Sequence, residues 1–142
     1  MPRAVIPARL TWSWALVALV LTTTGCGLAE RATACGKVAE AVLVPGPKKR
    51  RTARIEELQS VARTVRDAAQ RLTKVGQLPK DLAPIAEATQ KALVTFAQEL
   101  DRAAKARKSG RAPDYAAART RTEEARQQLV DLGRRFGDVC GK

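Results

Sequence analysis

Residues 55–72 read IEELQSVARTVRDAAQRL. Ile55, Leu58, Ala62, Val65, Ala69 and Leu72 recur at alternating steps of three and four residues, which places them on one stripe of an α-helix. Charged and polar side chains fill most of the remaining positions, so this stretch is an amphipathic helix that must bury one face. The spacing predicts a helix over Thr52–Val75, ended by Gly76-Gln77-Leu78-Pro79. Toward the C-terminus the pattern repeats. Asp81 is placed to cap the next helix, with Pro84 in its first turn, where backbone donors lack partners. Leu82, Ile85, Thr89, Leu93, Phe96, Leu100 and Ala103 carry its seam toward Lys108, and Ser109-Gly110-Arg111-Ala112-Pro113 breaks it. A last helix is expected from about Asp114 to Val139, with Tyr115, Ala118, Thr122, Ala125, Leu129, Leu132, Phe136 and Val139 inward.

Toward the N-terminus, Thr33–Val44 predicts a short helix with Val38, Ala41 and Val42 on one face. Pro45-Gly46-Pro47 ends it, because neither proline can donate and each pushes the preceding residue off helical angles. The expected fold is all-α: an up-down helical bundle of three long helices plus one short N-terminal helix. Composition agrees. Hydrophobic residues make up 45% of the chain but aromatics only 4%, so the core rests on small and aliphatic side chains that suit close helix packing rather than a β-sandwich.

The same composition narrows the chemistry. The absence of histidine removes the commonest general base and imidazole metal ligand. The sequence contains no phosphate-cradling glycine loop or nucleophile elbow. Glu56-Glu57 and Glu123-Glu124, its paired carboxylates, sit between arginines on helical stretches, where ion pairing is the ordinary use. No enzyme activity, cofactor or metal site is expected.

The first twenty-six residues carry a different message. Met1–Leu10 holds Arg3 and Arg9, and TWSWALVALVL at residues 11–21 is uncharged. A basic start, a short apolar run and then small residues form the pattern of an export signal. As a helix the run spans about 16 Å, short of the ~30 Å of a bilayer core. Residues 21–26, LTTTGC, resemble the cleavage site of bacterial lipoprotein signals, with Gly25 and Cys26 at the last two positions and Thr23 where leucine is usual. The resemblance is confined to residues 1–27. It implies removal of residues 1–25, a lipid on Cys26, a lipid-anchored tether over 26–34 and the bundle domain over 35–142. Gly27 rather than aspartate after the cysteine implies an outer membrane facing the periplasm. The alternatives are cleavage after Ala29 or Ala34, giving a soluble secreted or periplasmic protein, and an uncleaved anchor helix.

Lipidating Cys26 leaves Cys35 and Cys140, an even pair in an oxidising compartment. In an up-down bundle the start of the first helix and the end of the last lie together, so a disulfide between the two is expected, with two free thiols as the alternative. The same topology gathers Lys48, Lys49, Arg50, Arg51, Arg54, Arg102, Lys105, Arg107, Lys108 and Arg111 at the end away from the anchor. The net charge is +12, and +10 without Arg3 and Arg9. The ten cations are candidates for docking an anionic cell-wall polymer or an acidic protein; the alternative is that they are solvated loop and helix-end charges. The expected function is a non-enzymatic, membrane-tethered helical module of the bacterial cell envelope. The second reading is an exported binder of polyanions or nucleic acid, although the mature chain lacks stacking aromatics.

Overall fold

The computed structural model describes residues 12–43 and 54–141, with side chains from Gly27 onward. Four helices make up the fold: α1 (Trp12–Val42), α2 (Ile55–Thr73), α3 (Ala83–Ser109) and α4 (Ala112–Cys140), with no strand among the described residues. The chain is an all-α helical bundle. α3 is its central member, packed extensively against both α2 and α4, while α1 lies mainly on α2 and touches α4 lightly.

The stripe that defines α2 is the stripe it buries. Ala62, Val65, Ala68, Ala69 and Leu72 are buried, and Leu58 packs against them. They meet Ala86, Leu93, Ala97 and Leu100 of α3 and Ala34, Cys35, Val38 and Ala41 of α1 in one cluster. Ala92, Ala103 and Ala104 of α3, with Ala118 and Ala125 of α4, are buried outside that cluster. Alanines on two faces let α3 approach two neighbours closely. The seam expected along α4 is present but shallow: of the described residues of α4, only Ala118 and Ala125 are fully buried, and Leu129, Phe136 and Val139 are half-buried against the core.

Three expectations at helix ends are corrected. The short first helix is instead a 31-residue helix, beginning at Trp12 and ending at Val42. No proline stands between Thr11 and Pro45, and Gly25 and Gly27 each cost only about 1 kcal/mol relative to alanine, too little to interrupt a helix. Residues 26–34, expected as a tether, therefore have helical backbone. α2 begins at Ile55 and ends at Thr73, so it is shorter than expected, about 28 Å. Asp81 does not cap α3: the N-cap is Leu82, without a side-chain cap, and the first turn is built by the amides of Leu82 and Ala83 donating to Pro79 O at 2.9 Å. The Asp81 carboxylate is used elsewhere, on Arg31.

Capping of α2 is partly local. The Glu57 carboxylate accepts the Arg54 backbone N–H at 3.1 Å, and Glu56 and Glu57 place negative charge in the first turn. α3 stops at Gly110, whose φ of 72° is the left-handed conformation that glycine adopts without strain. Pro113 then sits in the first turn of α4.

Candidate docking ends and the cysteine clasp

Cys35 and Cys140 stand at disulfide-bonding distance, with Cα atoms 6.0 Å apart and 105 residues between them in sequence. The expected pair is the pair that forms. Val38 and Ala41 seat α1 in the core on the cluster that includes Cys35, and Cys140 lies at the last residue of α4. The bond therefore joins two helices that otherwise barely meet. The Cys26 side chain lies outside the described residues.

α1 is also fixed by polar contacts with the α2–α3 region. Arg71 donates to the carbonyls of Ala41 and Leu43, both at 3.2 Å, occupying acceptors left open at the end of α1. Arg31 pairs through Nη2 with Asp81. Its Nε is buried and has no hydrogen-bond partner among the described residues. A buried, unsatisfied donor of this kind costs about 1–3 kcal/mol. Beside it lies an open cleft of about 790 Å³ between α1 and the α2–α3 turn, bordered by Gly27, Glu30, Arg31, Lys37, Gln77 and Asp81.

Of the ten expected cations, Lys48, Lys49, Arg50 and Arg51 lie outside the described residues. The other six divide by how their charge is used. Arg102 pairs with Glu99 at 2.5 Å and Arg111 with Asp114 at 2.9 Å. Arg107 sits over the Tyr115 ring, 5.3 Å from its centre, and donates to the Tyr115 hydroxyl at 3.1 Å. Arg54 is exposed at the start of α2. Lys105 and Lys108 are exposed and have no ion-pair partner among the described residues. Internal pairing thus takes up part of the expected docking charge, and the lysines keep theirs.

Sequence reasoning missed Glu99. Its side chain is 9% exposed, and it is accepted into the α3–α4 interface because two guanidiniums meet it, Arg102 from its own helix and Arg121 of α4 at 3.2 Å. A carboxylate beside the expected α3 seam reads as a surface residue until the partner helix is placed. Arg66 of α2 pairs with Asp101 of α3 in the same style. Glu123, one of the paired carboxylates, is exposed and chelated by Arg126 at 2.5 Å; that hydrogen bond holds its carboxyl below the usual glutamate range. Glu87 is lowered likewise by its hydrogen bond from Lys91 at 2.7 Å.

Among the described residues no helix is long and apolar enough to cross a membrane. The chain matches no family model, no curated protein and no solved structure.

Proposed function

We propose that the protein is a non-enzymatic helical module of the bacterial cell envelope, tethered by a lipid on Cys26 and presenting the α2–α3–α4 bundle to an anionic partner. The observation that carries this reading is the Cys35–Cys140 pair. Such a bond belongs to an oxidising compartment, and it uses two of three cysteines, leaving Cys26 for the lipid that its signal-like surroundings imply.

The bundle is up-down in this reading. Arg66 meets Asp101, while Leu72 and Thr73 border the same cavity as Ala83 and Ala86, so α3 returns along α2 in the opposite sense. Arg71 reaches the end of α1, about 25 Å along α2 from Arg54. The residues joining Leu43 to Arg54 reach up to about 36 Å, enough to close that gap. Arg54, Lys105, Lys108 and Arg111 then share the end remote from Cys26, and an anionic cell-wall polymer or acidic protein is the partner their charge suits.

Intact mass of the membrane-extracted protein tests the tether. The expected species begins at Cys26 and carries acyl chains; an unmodified chain, or one starting at Glu30, overturns it. Charge reversal at Lys105 and Lys108 should at least halve capture of the anionic partner at low salt, and unchanged capture removes that end from the reading. The net charge of +12 also favours the second reading, a polyanion or nucleic-acid binder, which predicts steep loss of binding with salt and no preference among polyanions.

A further inference from the structure

We propose that the outer face of α1, with the adjoining face of α4, is where two copies of this chain pair, their α1 helices running parallel. The parallel sense rests on the reading that both copies are anchored through Cys26 in one bilayer.

Leu28, Leu43 and Val130 are the large apolar side chains left exposed among the described residues, at 64%, 71% and 36%. They share one surface. On α1, Leu28, Ala29, Ala32, Gly36, Ala39 and Leu43 fall within about 100° of the helix circumference, and no charged residue stands among them. That face is separate from the one α1 buries through Ala34, Val38 and Ala41. On α4, Val130, Gly133 and Gly137 lie on the side of Cys140 away from the buried Ala125. The Cys35–Cys140 bond clasps the two helices between these faces, so both open on the same side. No neighbouring heavy atom lies within 4 Å of where a Cβ would stand on Gly36, Gly133 or Gly137, which leaves room for a further helix to approach closely.

The pattern selects the occupant. Ala29, Ala32, Gly36, Ala39 and Leu43 are spaced three, four, three and four, the repeat of a helix that winds around another helix. A helix that lies on a bilayer carries bulky apolar residues flanked by cations, whereas alanine and glycine predominate here. The net charge of +12 opposes self-association over most of the surface, and this face is free of charge. Its edges are complementary. Glu40 borders the α1 stripe and has no ion-pair partner among the described residues, while Arg134 borders the α4 face and reaches Asp131 only at 3.5 Å. In a parallel two-fold pair, Glu40 of each copy turns toward α4 of the other, the helix that carries Arg134. Anchoring in one bilayer raises the effective concentration of the copies, so a seam of about 23 Å on α1 suffices.

The test places Ala32→Cys in the full-length chain and oxidises native membranes. In a parallel pair residue 32 meets its counterpart within disulfide reach, so a self-linked dimer should appear on a non-reducing gel. Gln59→Cys, exposed on α2, should stay monomeric. Linking only between an Ala32→Cys chain and an Ala39→Cys chain means antiparallel copies and overturns the proposal, as does no linking at all. In a maltoside detergent the full chain should dimerise with a dissociation constant of about 10–100 μM. Gly36→Gln and Leu43→Glu should each raise that constant at least tenfold with unchanged far-UV circular dichroism, because both positions face open space in the single copy. Glu40→Arg should weaken pairing similarly, and Arg134→Glu in the same chain should restore it. Unchanged association of the Gly36→Gln and Leu43→Glu chains overturns the proposal, and failure to restore overturns the parallel arrangement. Monomer retained on vesicles through Leu28 and Leu43 assigns the face to the bilayer and overturns it too. The result stands apart from the intact-mass result: acylation without self-linking leaves the tether and removes the pairing, and pairing by a natively unacylated protein does the reverse.

Discussion

Glu99 is the residue on which the α3–α4 interface turns. A carboxylate with a side chain only 9% exposed is tolerated because Arg102 and Arg121 neutralise it from two helices. Removing a partner from a fully buried pair costs about 3–5 kcal/mol, but both arginines here are half-exposed and can return to water. Glu99→Ala should therefore destabilise the fold by about 1–2 kcal/mol in denaturant titration, more than Arg121→Ala does. Equal effects from the two would mean that the carboxylate is not the pivot. Glu123 makes the opposite case. Its folded-state pKa is depressed by Arg126, so its contribution is present above the unfolded value and is lost as pH falls through the folded one. Because both side chains are more than half exposed to water, that contribution is small. Lowering the pH from neutrality through the carboxylate range should weaken the thermal transition only gradually, and Glu123→Gln should leave the neutral-pH midpoint nearly unchanged.

At the scale of the element, the periodic stretches were legible and the ends were not. Ile55–Leu72 announces its own buried face, and the structure buries it, because a three-four alternation has one geometric solution in a helix. The α3 seam was read too narrowly. Ala86, Ala92, Ala97 and Ala104 are buried beside it, and alanine signals a buried position no more strongly than an exposed helical one. The start of α1 was misread because glycine and threonine weaken a helix without stopping it, and Asp81 because a capping residue is also an ion-pair residue. The cleft beside Arg31 had no sequence signal at all: its walls come from α1 and from the α2–α3 turn, brought together only by packing. Glycine gives a sharp test of these distinctions. Gly110 has φ of 72° and open space at its Cβ position, so Gly110→Ala carries only backbone strain and should cost about 1 kcal/mol. Gly133, inside α4, has equal space and no positive φ, so Gly133→Ala should stabilise by about 0.5–1 kcal/mol. Thermal melts of the two variants should move in opposite directions.

For the molecule as a whole, what matters is how unevenly α1 is held. α2, α3 and α4 share long packed interfaces, whereas α1 relies on a short patch around Val38 and Ala41, the Arg71 hydrogen bonds to its last carbonyls and the Cys35–Cys140 bond. Closing a loop of 105 residues is worth up to about 4–5 kcal/mol by chain entropy, comparable to a large share of a small domain's stability. That constraint acts on the unfolded chain as a whole, but in the folded protein the packing that depends on the bond is local to α1 and the last turn of α4. Reduction should consequently lower the global transition and, under native conditions, free one region before the others. Amide exchange with and without reductant should show protection falling first in residues 31–42 and 136–140, while Ala62–Leu72 and Leu93–Ala104 stay protected. A Cys35→Ser, Cys140→Ser chain should reproduce the reduced pattern. Uniform loss of protection across all four helices would mean that the bundle is a single cooperative unit and that α1 is no more detachable than its neighbours. The outcome bears on the proposed tether, in which α1 would join a lipid-bearing Cys26 to the bundle: a bundle that stays folded while α1 loosens would then keep Lys105 and Lys108 exposed and change only how stiffly they are held from the anchor.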